Sequence, residues 1–379
     1  MSGEKMKVLE MLENGKITAA EAAELLKHVD DDRGDPRQYP PHMRHPEELP
    51  HPPHMREMDD FPSPPVEAFG NAMGWLENLS SMFTGGEFGH QREAKFTASA
   101  DAGNGIRDLD FTGKNASVKM EPHPGDCIEV EAMYRTKRQL DPRFALIEKD
   151  GSFTLGYDEN AIRSLGILVR VPENIVVGRA RLKSANATVA ISDIKAGAIK
   201  METSNASIKA DDTRCDSLYC VTSNASIQLD DLEAQTIEAK TSNAKISLDD
   251  VEAREAQLKT SNAKIEMKDS KIKKIDAHTQ NAGLHFDYAP LNDQEQDPQY
   301  ELEAATLNGP IVVRLPNRNV KCKLRASTAN GGIHVDVNDL DYRVREKNYV
   351  EAVSREYDAA QAKINMNLKT MNGGINITD

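Results

Sequence analysis

Residues 203–221 read TSNASIKADDTRCDSLYCV, residues 222–240 read TSNASIQLDDLEAQTIEAK, and residues 241–259 read TSNAKISLDDVEAREAQLK. The lines align without a gap. Outward from them the register holds, with Asn186, Asn205, Asn224, Asn243, Asn262 and Asn281 each 19 residues after the last. The flanking words are Ser-Ala-Asn-Ala at 184–187 and Thr-Gln-Asn-Ala at 279–282. Looser copies are Thr-Leu-Asn-Gly at 306–309, Thr-Ala-Asn-Gly at 328–331 and Thr-Met-Asn-Gly at 370–373. An earlier one, Gly-Lys-Asn-Ala, lies at 113–116. A fixed short period is the signature of stacked structural units.

Between the Asn residues the apolar period is 2, not 3.6. Ala206, Ile208 and Ala210 correspond to Ala225, Ile227 and Leu229, and to Ala244, Ile246 and Leu248. Alternation over such a stretch predicts a strand with one buried face. Each unit therefore carries short strands separated by polar corners. A unit of this length cannot bury its own apolar face, but a stack can, at a strand spacing of roughly 4.8 Å. The expected fold is mainly β: a single-stranded β-solenoid, taken as a right-handed parallel β-helix, with one coil per 19-residue repeat. The Leu-x-x-Leu-x-Leu frame of leucine-rich repeats is absent, and a propeller blade would need roughly 40 residues.

The Asn column is expected to be structural. A buried Asn at a corner adopts a left-handed backbone more readily than most residues. Its amide can also bond to the Asn one coil above and below. An acidic column follows seven residues later, at Asp193, Asp212, Asp231, Asp250 and Asp269, with Asp211, Asp230 and Asp249 beside it. Stacked carboxylates repel, by about 1 kcal/mol per neighbouring pair in water. Two readings remain open. Each Asp caps backbone N–H groups at its turn, or the column holds Ca²⁺ through oxygen ligands. No other cofactor is indicated. Cys215 and Cys220 take positions that Ala234 and Ala239 hold in the next coil, so they are expected to be core thiols.

Ahead of the repeats, residues 1–29 are expected to form a helical hairpin. Leu9, Leu12, Leu25 and Leu26 would give an oligomerisation face, Gly15 would stop the first helix, and Thr18 with Glu21 would cap the second. Residues 30–65 form a linker holding ten of the 18 prolines and the cluster His42, His45, His51 and His54. With Met43, Met55 and Met58 those histidines make either a tether or a Cu or Ni site. Residues 66–92 begin with an amphipathic stretch, 66–83, suited to cap the solenoid, to bind a partner, or to touch a membrane peripherally. No Lys or Arg occurs from 57 to 91, which disfavours anionic lipid. The repeat domain occupies 93–379, with less regular strands up to 183, at 95–98, 106–111, 116–120, 127–134 and 167–171, and a strand running to the terminus whose end coil is open for stacking unless residues 340–362, as a hairpin or a short helix, cover it.

Composition narrows the function. Lys plus Arg number 47 against 61 Asp plus Glu, so the formal charge is −14, which argues against nucleic acid as a partner. Aromatics are 5%, as narrow coils of small aliphatics require. No apolar stretch approaches a membrane span, and the N-terminus lacks a secretory h-region, so a cytoplasmic location is expected. Phosphate-loop, His-Glu-x-x-His and nucleophile-elbow patterns are absent, and His278, His285 and His334 are scattered, so an enzyme is not expected.

The words Thr-Ser-Asn-Ala-Lys-Ile and Thr-Met-Asn-Gly-Gly-Ile resemble the bacterial β-strand-repeat family of unknown function, often labelled adhesin. The stretch 7–26 looks like the short helical module that precedes that domain in YvlB- and LiaX-like proteins. This resemblance implies a role in the response to cell-envelope stress. Together these features suggest a self-associating scaffold that offers an acidic surface to protein or cationic-peptide partners. The alternative is a carbohydrate-binding or polysaccharide-processing β-helix. Its weakness is the scarcity of aromatics in 184–288, which are Tyr219, Phe286 and Tyr288.

Overall fold

The computed structural model describes residues 93–101, 107–136, 142–290, 298–316 and 320–379. The expected hairpin at 1–29, the linker at 30–65 and the stretch 66–92 lie outside the described residues. So do Leu9, Leu12, Leu25, Leu26, His42, His45, His51 and His54.

In chain order the strands are β1 (Glu93–Asp101), β2 (Arg107–Gly113), β3 (Ala116–His123), β4 (Cys127–Thr136), β5 (Ala145–Lys149), β6 (Ser152–Gly156), β7 (Ile162–Pro172) and β8 (Val177–Ser184). Then come β9 (Val189–Ser192), β10 (Lys195–Glu202), β11 (Ile208–Val221), β12 (Ile227–Lys240), β13 (Ile246–Lys259), β14 (Ile265–His278) and β15 (Leu284–Tyr288). The last are β16 (Gln299–Thr306), β17 (Ile311–Arg314), β18 (Lys321–Thr328), β19 (Ile333–Asp336), β20 (Leu340–Arg345), β21 (Tyr349–Ser354), β22 (Lys363–Thr370) and β23 (Ile375–Thr378).

The centre is a parallel β-solenoid. Along β11 to β14 each residue pairs with the one 19 positions on, as in Ile208 with Ile227, Ile246 and Ile265. Each of these strands bends twice. In β11, Ile208 and Ala210 point inward, then Thr213 and Cys215, then Leu218 and Cys220. The inward phase slips at Asp211–Asp212 and again at Asp216–Ser217. A strict period of 2 would leave one flat ribbon, and two slips fold it into a three-sided coil. The Thr-Ser-Asn-Ala word closes the coil. Stacked Ile, Leu, Ala and Cys columns fill the interior. Full burial of each Ile or Leu contributes about 1.5–3 kcal/mol. The core thiols follow the Ala columns: Cys220 is fully buried, and burial pushes the Cys215 thiol up to about 12.

Both ends depart from simple stacking. At the first, β4 runs antiparallel to β7, β1 antiparallel to β4, and β5 antiparallel to β6. Phe144 stacks on Phe96 at 5.3 Å and lies 4.6 Å from Tyr134 and 5.4 Å from Tyr157. The strands expected at 95–98, 106–111, 116–120, 127–134 and 167–171 match β1, β2, β3, β4 and β7, with β2 starting at Arg107.

At the second end, chain order and spatial order part. The terminal strand was expected to form the end coil, open for stacking unless residues 340–362 cover it. Instead β22 lies between β16 and β18, and β23 lies between β17 and β19. An internal position gives both backbone edges of the last coil a partner. Residues 340–354 form the hairpin β20–β21, and β21 pairs antiparallel with β18. The end coil is therefore β18 and β19.

Candidate functional site

Two corners of the coil carry polar columns. At the first, Asn205 Nδ2 donates to Asn186 Oδ1 at 2.7 Å, and Asn224, Asn243, Asn262 and Asn281 each repeat the bond to the Asn before. The ladder also runs from Asn186 back to Asn115 at 2.8 Å. Forward, it passes from Asn281 through Asn308 and Asn372 to Asn330, at 2.9, 2.7 and 2.8 Å. The order 308, 372, 330 records the intercalated last coil.

Two expectations at this corner need correction. The Asn side chains are exposed rather than buried, and none has a positive φ. The buried polar group is the Thr at the head of the word. Thr222, Thr241 and Thr260 each donate through Oγ1 to the carbonyl of Ala206, Ala225 and Ala244, all at 3.2 Å. Burial of a hydroxyl demands such a bond. The Asn then remains at the rim, where one amide donates down and accepts from above.

The left-handed conformation belongs to the second corner. Asp193, Asp212, Asp231, Asp250 and Asp269 have φ of 55, 43, 48, 49 and 43°. Asp shares with Asn a tolerance for this region, because its short polar side chain compensates locally. The column thus turns the coil, which is one reason for Asp there. The hydroxyls beneath do act locally: Thr213 Oγ1 donates to the Asp211 carbonyl at 2.8 Å, and Ser270 Oγ to the Lys268 carbonyl at 2.6 Å.

Beside the left-handed column, Asp211, Asp230 and Asp249 are direct cross-strand partners, and Ser192 and Lys268 end the row. A groove of about 550 Å³ runs along this corner between Asp193, Asp212, Asp231 and Asp250 on one side and Lys195, Arg214, Glu233 and Glu252 on the other. Arg214 pairs with Glu233 within it. Partial burial, then repulsion from Asp211, Asp249 and Asp231, raises the Asp230 carboxyl to about 6. Asp193 is likewise held at about 6, by burial first, then by its hydrogen bond with Asp212 and repulsion from Asp212 and Asp211, with Lys119 opposing. Asp211 and Asp231 shift the same way, burial again leading.

Such an edge is a cation-attracting surface. Its carboxylates run in file along one corner rather than facing each other across a cleft, and no His, Cys or Ser lines it. Among the described residues no group of three or more His, Cys, Asp or Glu side chains has the arrangement to hold a metal ion. The histidines do not converge: His278 pairs with Asp276 at 2.5 Å, His285 is half-buried on β15, and His334 is exposed on β19. Phe286 and Tyr288 are buried in the core, and Tyr219 lies under the Lys200 ammonium at 5.1 Å. The positive φ of the Asp column was missed in the sequence, although a doubled Asp before an inward apolar residue is a turn signal. No helix among the described residues is long and apolar enough to cross a membrane.

Several solved structures resemble the chain. One, described as a "putative lipid binding protein" from Parabacteroides distasonis, is 12% identical with a TM-score of 0.44, covering 75% of this chain and 97% of that one. A "putative adhesin" from Parabacteroides merdae is 8% identical with a TM-score of 0.38, covering 75% and 96%. Another so described, from Bacteroides fragilis, is 10% identical with a TM-score of 0.36, covering 75% and 97%. A search of curated proteins found no match. Residues 3–34 match the SHOCT-like domain. Residues 106–378, well over half of the chain, match the Toastrack domain DUF4097, and the protein belongs to that family.

Proposed function

We propose that this protein is a non-enzymatic interaction scaffold whose solenoid presents the Asp193–Asp250 corner to a cationic protein or peptide. The observation that supports this most directly is the stacking of like charge along the corner. Asp211, Asp230 and Asp249 are adjacent cross-strand partners, and like charges placed directly opposite are destabilising. A ligand bearing Lys or Arg at matching spacing would relieve that repulsion and gain charge-assisted hydrogen bonds. A link to envelope stress, where cationic peptides are the insult, rests on the resemblance of the words at 7–26 and 203–265. Self-association through residues 1–29 would multiply weak sites by avidity.

Titration of a Lys/Arg-rich amphipathic peptide, followed by fluorescence anisotropy at two salt concentrations, tests the reading. The triple variant Asp211→Asn, Asp230→Asn, Asp249→Asn is expected to weaken binding about tenfold or more, at roughly 0.5–1 kcal/mol per exposed charge contact. Equal binding by wild type and variant would sink it. Ca²⁺ titration by calorimetry separates the remaining reading of the Asp column, and heat that disappears in the same variant would favour the ion. Deletion of 1–29, followed by sedimentation, tests the association.

A further inference from the structure

A second groove lies at the other bend of the coil and has the opposite sign. It measures about 520 Å³ and is lined by Arg254 on β13, Lys273 on β14, Gln299 on β16, Lys363 and Asn365 on β22, and Tyr357. Arg254 and Lys273 hold the same place in successive coils, which Asp216 and Gln235 hold in the two coils before. Neighbouring cations at a strand spacing of roughly 4.8 Å repel each other. At other places in the array a cation on one coil meets an acid on the next, as Arg214 meets Glu233. Neither Arg254 nor Lys273 has an ion-pair or hydrogen-bond partner among the described residues.

Lys363 is the third cation. It is partly buried, and its ammonium meets the Asp358 carbonyl at 2.9 Å and the Tyr357 ring at 5.8 Å, but no carboxylate. A charge withdrawn from water without a counter-ion is costly, and a counter-ion from solution offsets that cost. Burial raises the Tyr357 phenol above its ordinary range, so its hydroxyl stays a donor. The acids of the groove are Glu255 and Glu301, and both are turned to Lys274: Glu255 pairs with it at 3.1 Å, and Glu301 is its cross-strand partner. Arg254, Lys273 and Lys363 are surplus to that trio.

We propose that this groove binds a ligand carrying two or more linked phosphates, with Arg254 and Lys273 holding one and Lys363 another. A guanidinium presents paired N–H donors that match a phosphate, and an ammonium adds a point charge. Strand β16 separates β14 from β22, so the backbones carrying Lys273 and Lys363 stand about 10 Å apart. That span favours linked phosphates over a single one. Two sources share this chemistry, a free polyphosphate and a phosphodiester polymer. The groove is distinct from the acidic corner and does not rest on the function proposed for it.

Calorimetric titration of the full chain with tripolyphosphate tests the proposal. Inorganic phosphate should bind about tenfold more weakly. The variant Arg254→Gln, Lys273→Gln should weaken tripolyphosphate about tenfold or more and Lys363→Gln about fivefold, and raised salt should weaken it further. Lys183→Gln, at an exposed cation outside the groove, should change nothing. The variant Asp211→Asn, Asp230→Asn, Asp249→Asn should bind tripolyphosphate as well as wild type. That separates failure here from failure at the acidic corner. A glycerol-phosphodiester oligomer is the second probe. Whichever probe binds more tightly identifies the source, and its loss in the Arg254→Gln, Lys273→Gln variant supports the site. Neutralising Asp293, Glu295 and Asp297, which precede β16 in the chain, should leave binding equal or tighter. No heat with either probe, weaker binding in that last variant, or an equal loss in Lys183→Gln would overturn the inference.

Discussion

The coils from 203 to 278 and those from 299 to 378 use the same Asn ladder and differ in almost everything else. In the first region, neighbours in sequence are neighbours in space, the word is Asn-Ala, and the coil has three sides. In the second, the last coil in sequence is inserted between two earlier ones, and the word is Asn-Gly. The glycine follows from close approach. A Cβ on Gly373 would lie 2.0 Å from the Gly309 carbonyl oxygen, and one on Gly331 would lie 2.0 Å from the Gly373 oxygen. A repeat that propagates one geometry can be copied unit by unit. A coil that must be threaded between finished edges needs its own backbone solution.

The largest contrast should come from removing a coil in each region. Excising 222–240 joins Val221 to Thr241 and leaves every remaining column in register. Nearest-neighbour energetics then predict a shorter solenoid with one interface lost and a single cooperative melt. Truncation after 362 removes β22 and β23 from the interior. It takes the fully buried Ile364, Leu368 and Ile377 from the core, removes one of two neighbours from β16, β17 and β18, and cuts β18 and β19 off from the rest of the stack. At about 1.5–3 kcal/mol for each large side chain, the loss rivals the total stability of a domain. Circular dichroism and limited proteolysis should show the residues after about 320 unfolded. A truncated chain as resistant as the excised one would contradict the intercalated order.

Next in size is the corner word. Gly373→Ala should cost about 1–3 kcal/mol through overpacking against backbone that cannot yield. Ala225→Gly, at the matching place in the regular array, should cost only about 0.5–1 kcal/mol, from backbone entropy. Chemical denaturation of the two variants gives the comparison directly, and similar values would show that the two words are interchangeable.

This contrast also explains what the sequence reveals and what it hides. The period, the inward columns and the Asn register follow from residue type and spacing, because each is a local demand repeated in every coil. Thr at the head of the word and Asp seven residues after Asn are visible as columns too. Their division of labour is not, because a hydroxyl reaching the carbonyl one coil away, and a φ near 45°, are properties of the closed coil. Intercalation of residues 363–378 has no local signature at all. Ile364, Met366 and Leu368 alternate just as Ile237, Ala239 and their neighbours do, and alternation specifies an inward face without specifying which neighbour it meets. The antiparallel pairs at β1, β4 and β7 are hidden for the same reason. At the acidic corner the residues are legible, and their raised carboxyls are not, since the shift requires the stacking that brings Asp211, Asp230 and Asp249 side by side.

The ladder itself spans both regions and should respond by position. Asn243 both donates and accepts, so Asn243→Ala removes two side-chain bonds, whereas Asn330→Ala at the terminus removes one. At about 0.5–1.5 kcal/mol per bond, and toward the low end for exposed groups, the interior change should cost roughly twice the terminal one. Equal losses would mean that the amide stack adds nothing beyond the fit of each corner.

The smallest effect is that of pH, and it should be confined to the array. In the final coils Asp287 is paired with Arg314 at 2.7 Å, so acid there meets base. In the array acid meets acid, and Asp230 and Asp193 are both held at about 6 against an unfolded value near 3.9. A raised carboxyl binds its proton more tightly in the folded chain. Its stabilising contribution is complete below about 4 and is lost as pH rises through 6. Between those limits, lowering the pH should therefore stabilise the array. Glu266 works in the opposite sense. Burial pushes it up, but hydrogen bonds from Lys245 and Lys264 outweigh that and hold it at about 2, so its contribution is lost only as pH falls below about 4.5. The melting temperature should rise from pH 7.5 to about 5 and fall again below about 4. Both Asp groups are only partly buried, so solvent screening limits the gain to about 1 kcal/mol. Asp230→Asn should raise stability at pH 7.5 and flatten the rise toward pH 5, while Asp287→Asn should not, because its charge is already met by Arg314. If both variants flattened the profile equally, the stacked carboxylates would not be the cause.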